Sequence, residues 1–138
     1  MERTATCHCG KLRVVATGEP GSVYVCHCKA CQHRTGSIVH NGSRWEKAQV
    51  RIEGEQKIYA RLGDSGSEIR FHFCPNCGTS VYWEGDRNPA TYGIAVGAFA
   101  DPNFPAPTRS IWERSRHSWV ALNQEVGHFP QAASTPAS

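Results

Sequence analysis

Cys26, Cys28 and Cys31 fall within six consecutive positions of VCHCKACQHRTG, residues 25–36. Three thiolates that close together are a ligand set for a soft divalent metal, and zinc takes cysteine sulfur readily. A closed structural zinc site needs four protein ligands, whereas a catalytic one keeps three and leaves a position for water or substrate. The chain holds seven cysteines, and the remaining four form two local pairs, Cys7 with Cys9 and Cys74 with Cys77. Joining the pairs gives one closed four-thiolate site and leaves the trio as an open three-thiolate site. Every cysteine is then used. Joining the trio to either pair would crowd five thiolates around one ion and strand the other pair.

The FCPNCG stretch, residues 73–78, supports this division by itself. Its two cysteines flank a proline-bearing turn, and Gly78 permits the tight backbone of a zinc knuckle. CHCG at Cys7–Gly10 is a shorter counterpart, with a glycine in the equivalent place. Such a site ties the N-terminal segment to a hairpin about 65 residues later and couples metal binding to folding. Iron would satisfy the four-thiolate set as well as zinc, and a protein histidine could close the trio. His8 and His27 lie between cysteines, where side chains of adjacent residues point away from a common centre. His33, His40, His72, His117 and His128 could reach the trio only through the fold.

Three thiolates make their zinc a weak Lewis acid, so hydrolysis through bound water is not the favoured chemistry. The open position suits a soft ligand, and a substrate thiol would bind there as a thiolate, a nucleophile held in place. One of Cys26, Cys28 and Cys31 could also leave the metal and react with the thiol itself. Lys29, His33 and Arg34 surround the trio, and Thr35 and Ser37 add hydroxyls near Gly36. That setting suits a small anionic thiol. The plainer alternative is that Lys29 and Arg34 solvate a short helix.

The elements that must position these residues read mostly as short strands. In EIRFHF, Ile69, Phe71 and Phe73 alternate with Arg70 and His72, the period of a strand with one buried face. Similar runs are KLRVVAT, SVYV, SIVH, QVRIE, QKIYARL, TSVYW and YGIAVGAF. One short helix is expected from Lys29 to about Gly36. GDSG at 63–66 and GDRNP at 85–89 are turns, and DPNFPAPT at 101–108 is an irregular passage. Ile111, Trp112, Trp119 and Leu122 are expected to return apolar bulk to the core. No linker divides the chain, which predicts a single zinc-binding domain over residues 1–128 and a disordered C-terminal tail over 129–138.

The length of 138 residues fits one domain with its own core. No stretch approaches the roughly 18 apolar residues of a membrane span, and the opening MERTATCHCG has neither the apolar run nor the small-residue cleavage site of a secretory signal, so export is not expected. A reducing cytoplasm is the expected location. There, clustered cysteines bind metal more often than they form disulfides. The formal charge of +3 counts cysteines as neutral, and seven thiolates balanced by two zinc ions would bring it near zero. With no dense basic cluster interleaved with aromatics, nucleic acid is not the expected partner. No phosphate-binding glycine motif is present.

These motifs, TCHCGKLR, VCHCKACQHRTGS, RFHFCPNCGTSVYW and GAFADPNFPAP with SIWERSRHSW, resemble the GFA family. This is the family of glutathione-dependent formaldehyde-activating enzymes, which shares its domain with centromere protein V. The resemblance covers about residues 6–120. It implies a mostly β fold of several small coiled antiparallel sheets with one or two short helices, stabilised by zinc. It also implies a structural zinc on Cys7, Cys9, Cys74 and Cys77 and a catalytic or labile zinc on Cys26, Cys28 and Cys31. The implied activity is a carbon–sulfur lyase's: glutathione as co-substrate, with Lys29, His33 and Arg34 as candidate contacts, adds to formaldehyde to give S-hydroxymethylglutathione. Ser110 stands where the family often has histidine. The alternative is a non-catalytic binding module with both zincs structural.

Overall fold

In the computed structural model, which describes residues 1–122 and 125–133, eleven strands and one α-helix form two sheets. Strands β1 (Glu2–Thr6), β2 (Arg13–Thr17) and β5 (Val50–Glu53) make the smaller sheet, in the order β1-β2-β5. The larger sheet takes β3 (Ser22–Cys26), β4 (His40–Glu46), β6 (Lys57–Leu62), β7 (Glu68–Phe73), β8 (Ser80–Gly85), β9 (Thr91–Ala95), β10 (Arg109–Ile111) and β11 (Gly127–His128). Its order is β11-β10-β3-β4-β9-β8-β7-β6. Helix α1 (Lys29–Thr35) follows β3 directly.

The architecture is mostly β, as the alternating patterns require. Most pairings are antiparallel, and short turns join β1 to β2, β6 to β7, β7 to β8 and β8 to β9, but β10 runs parallel to both β3 and β11. The long irregular passage before Arg109 makes that parallel return possible, because parallel neighbours cannot be joined by a tight turn.

Directly paired residues lie on the same face of a sheet, and successive residues alternate. One face of the larger sheet carries Ser43, Trp45, Tyr82 and Ile94, which are buried with Ala5, Leu12, Val14 and Ala16 of the N-terminal segment. This is the core. The opposite face carries Cys26, His40, Arg44, Phe71 and Trp83 and forms the floor of an open cleft.

Several expectations change in the folded chain. Glu2–Thr6 forms β1, a strand its polar residues did not announce; it is held by pairing with the apolar Val14–Ala16 of β2. SIVH supplies only the first residue of β4, which runs instead through His40–Glu46. The YGIAVGAF strand ends at Ala95, after which Val96–Phe99 turn as a 3-10 helix. Trp119 is 75% exposed rather than in the core, and Leu122 is half-buried; Val126 takes the buried place. Within the expected tail, Phe129, Pro130 and Gln131 accept hydrogen bonds from the backbone of Glu113, Arg114 and Trp112. The last part of that tail, residues 134–138, lies outside the described residues.

Candidate metal centre

The four separated cysteines converge where the β1–β2 connection meets the β7–β8 turn. The Sγ atoms of Cys7, Cys9, Cys74 and Cys77 lie within 4.8 Å of one another. Cys9 Sγ is 3.6 Å from both Cys7 Sγ and Cys74 Sγ. Zinc–sulfur bonds of about 2.3 Å put tetrahedral sulfurs roughly 3.8 Å apart, so this donor set fits a tetrahedral thiolate-bound ion. Two knuckles build it. Gly10 N–H donates to Cys7 O at 3.1 Å, Gly78 N–H donates to Cys74 O at 2.8 Å, and both glycines have φ near +80°. Leu12 N–H donates to Cys7 Sγ at 3.2 Å. Thr79 links the halves, accepting from His8 N–H at 3.1 Å and standing 3.3 Å from Cys77 Sγ. These contacts hold the Cys77 thiol down, to about 5, with the Thr79 hydroxyl as the largest cause.

The second cluster is Cys26, Cys28 and Cys31, whose sulfurs also lie within 4.8 Å of one another. Cys26 is the last residue of β3, and Cys28 caps α1, its sulfur accepting from Cys31 N–H at 3.2 Å. The strand end and the helix's first turn thus bring three thiols to one point. The Cys28 thiol is held well below its ordinary value by the Cys26 and Cys31 thiols and the Cys31 amide, while Cys26 is pushed up by the same partnership. Cys28 is the member that ionises first. Among the described residues no fourth His, Cys, Asp or Glu donor joins this group. The two clusters could each hold a metal ion, and both donor sets suit zinc.

His27, between two of these cysteines, turns to the other side of the strand. It is fully buried, with Nε2 2.9 Å from Ser110 Oγ. Ser110 is itself buried and pairs with Val25 on β3, which puts it on the core face. Serine at that position therefore serves as the polar partner of a buried histidine. His8 is exposed, and His117 bonds Gln32 Oε1 at 3.0 Å. The Gln32 amide donates to His27 O at 2.9 Å, fastening α1 to the strand below.

The trio opens into a cleft of about 920 Å³, within the size range of small-molecule sites. Its floor is aromatic and its ionic lining strongly positive. Seven cationic side chains, from Lys29 and Arg34 near the thiolates to Arg44 and Arg109 farther along, face two acids, Asp64 and Glu68. Trp83 lies flat across the floor because Gly93 has no side chain there; a Cβ at Gly93 would meet the indole at 2.1 Å. Arg34 stacks over Phe71, 4.3 Å from its ring centroid, and stands beside Cys31. His40 is buried on the same floor, its ring 4.9 Å from that of Trp83, and burial lowers its pKa to about 4, with Arg34 adding to the effect. It is neutral at pH 7.

Of the basic residues expected around the trio, Arg34 and Lys29 line the cleft, Lys29 at its exposed mouth. His33 does not. It is exposed and outside the lining, because α1 turns that side of the helix to solvent. Sequence reasoning missed His40, Arg44 and Arg109 as cleft residues. The strand alternation that places His40, Gly42 and Arg44 on one face was hidden by starting that strand at Ser37.

Residues 2–115 match the model of the GFA family, described as glutathione-dependent formaldehyde-activating enzyme. No curated protein matches the chain. Among solved structures, a structural-genomics crystal structure of a Rhodobacter sphaeroides protein superposes with a TM-score of 0.53 at 23% identity, covering 69% of this chain and 85% of that one. That likeness concerns the fold. No helix among the described residues is long and apolar enough to cross a membrane.

Proposed function

Because the chain belongs to the GFA family, we propose that it is a zinc-dependent carbon–sulfur lyase that adds glutathione to formaldehyde, giving S-hydroxymethylglutathione. The observation that carries this reading is a three-thiolate cluster with no fourth protein donor among the described residues, opening into a cationic cleft. Zinc held by Cys26, Cys28 and Cys31 would keep one position for a substrate sulfur and hold that sulfur ionised. Cys7, Cys9, Cys74 and Cys77 would hold a structural ion.

The chain's own residues then do the positioning. Arg34 and Lys29 attract one carboxylate of the peptide, and Arg34 is kept in place by its stack on Phe71. His40, neutral at pH 7, offers a ring N–H toward the aldehyde oxygen. A carbon–sulfur bond forms as the carbonyl π pair moves to oxygen, and that oxygen takes up the proton the thiol gave up on binding. The thiol and aldehyde come from solution in the cytoplasm.

Because the two reactants also combine unaided, the test is the rate of exchange between free formaldehyde and its glutathione adduct, read by magnetisation-transfer NMR with carbon-13 formaldehyde. The wild-type protein is expected to speed exchange above the protein-free rate and Cys28→Ser to return it to that rate. Equal exchange with and without the wild-type protein contradicts the reading.

A further inference from the structure

The cleft runs well past the thiolates, and its far end carries groups the reaction above does not use. Ser22 and Arg44 are cross-strand partners on β3 and β4. Arg109 on β10 pairs with Tyr24, two residues along β3 from Cys26 and on the same face. All three line the cleft and none is exposed. Arg44 Nε, Arg109 Nη1 and Ser22 Oγ are each buried without a hydrogen-bond partner. A buried donor left unpaired is unfavourable, so three of them at one end of a cavity make a place prepared for an acceptor. Among the described residues that line the cleft, no acid lies at that end. The lining's two carboxylates, Asp64 and Glu68, belong to the β6–β7 turn and the start of β7, near the opposite edge of the sheet, and Glu68 pairs with Arg70 at 3.1 Å.

We propose that Ser22, Arg44 and Arg109 form an anion subsite that holds a carboxylate of the thiol substrate while its sulfur sits at Cys26, Cys28 and Cys31. The inference rests on the thiol-binding reading above and adds the group that sets specificity. The spacing gives the substrate's length. Along β3 the Ser22–Arg44 rung is roughly 13 Å from the Cys26–His40 rung, and the Arg109 rung is about half as far. Arginine side chains reach back over part of that distance, and three extended residues span about 10 Å. A two- or three-residue acidic peptide thiol therefore bridges the two ends, whereas a short thiol does not. The guanidinium fork meets a planar carboxylate with two parallel bonds, and the Ser22 hydroxyl supplies a third donor.

The test is calorimetric titration of the zinc-loaded protein with glutathione and with glutathione diethyl ester, which has the same sulfur and length but no free carboxylate. Wild-type protein is expected to bind glutathione at least about tenfold more tightly than the ester. Arg44→Gln and Arg109→Gln are each expected to weaken glutathione by about tenfold and leave the ester within about twofold. Equal binding of acid and ester by the wild type, or variants that bind glutathione as the wild type does, overturns the subsite while leaving thiol binding standing. If neither compound binds the wild type, the thiol-binding reading fails and the subsite falls with it. Variants that weaken both compounds equally place the arginines in structural support and also overturn the proposal.

Discussion

At the scale of single residues, two side chains that are neighbours in sequence do opposite work. Cys28 faces the cleft with its sulfur stabilised as a thiolate, while His27 points through the sheet to Ser110. Cys28→Ser is expected to remove one bound metal per chain and leave the far-ultraviolet circular dichroism spectrum unchanged, because the other four cysteines form a separate cluster. Loss of both metals would contradict that independence. Ser110→Ala should lower stability by about 1–3 kcal/mol by leaving His27 Nε2 buried without its partner, read from denaturant midpoints. Gly93→Ala forces a Cβ to within 2.1 Å of the Trp83 indole and should cost about 1–3 kcal/mol, with a change in tryptophan fluorescence. That His27 would not ligate was legible, because alternation along a strand turns it away from Cys26 and Cys28. The role of Ser110 was not, because its partner lies 83 residues away.

At the scale of elements, β4 and β8 decide what the cleft can hold, since one face of each belongs to the core and the other to the site. The helix after Cys28 was legible from Lys29 to Gly36, where a left-handed glycine ends it. The two ends of the chain were less so. Strand β1 is polar and exists through its partner, and Trp119 looks like core by type yet lies exposed beyond β10. On β8, Glu84 ties three elements together, accepting from Lys47 Nζ at 2.9 Å with His72 Nε2 at 2.8 Å and Arg70 nearby. Burial pushes its carboxyl up, but the bonds from Lys47 and His72 outweigh this and hold it below its ordinary value. The unfolded chain therefore takes up this proton first. Glu84's contribution to stability is whole above the ordinary value of about 4.5 and is lost as the pH falls through its lower folded value. Acid titration of stability is expected to be flatter below that point in Glu84→Gln than in the wild type; parallel curves would show that the network does not titrate.

At the scale of the whole molecule, the four-cysteine cluster fastens the smaller sheet to the β7–β8 turn of the larger one, and the three-cysteine cluster lies on the opposite, open face. The division of seven cysteines into four and three was legible from local spacing and the preference of zinc for four ligands. The cleft was not, because its floor is assembled from strands far apart in sequence. If the two clusters have these separate duties, Cys74→Ser should lower the melting temperature by well over ~10 °C, and Cys28→Ser by far less. Equal losses would mean that both sites hold the fold. On the proposed function, a metal at the three-cysteine cluster would keep a position that no protein group fills and a substrate sulfur takes. Zinc K-edge X-ray absorption on the fully loaded protein, with and without glutathione, reads that position directly. The mean sulfur count is expected to rise from about three and a half to about four per zinc when glutathione is added, whereas an unchanged count, or a histidine nitrogen already in place, would contradict an open thiol-binding site.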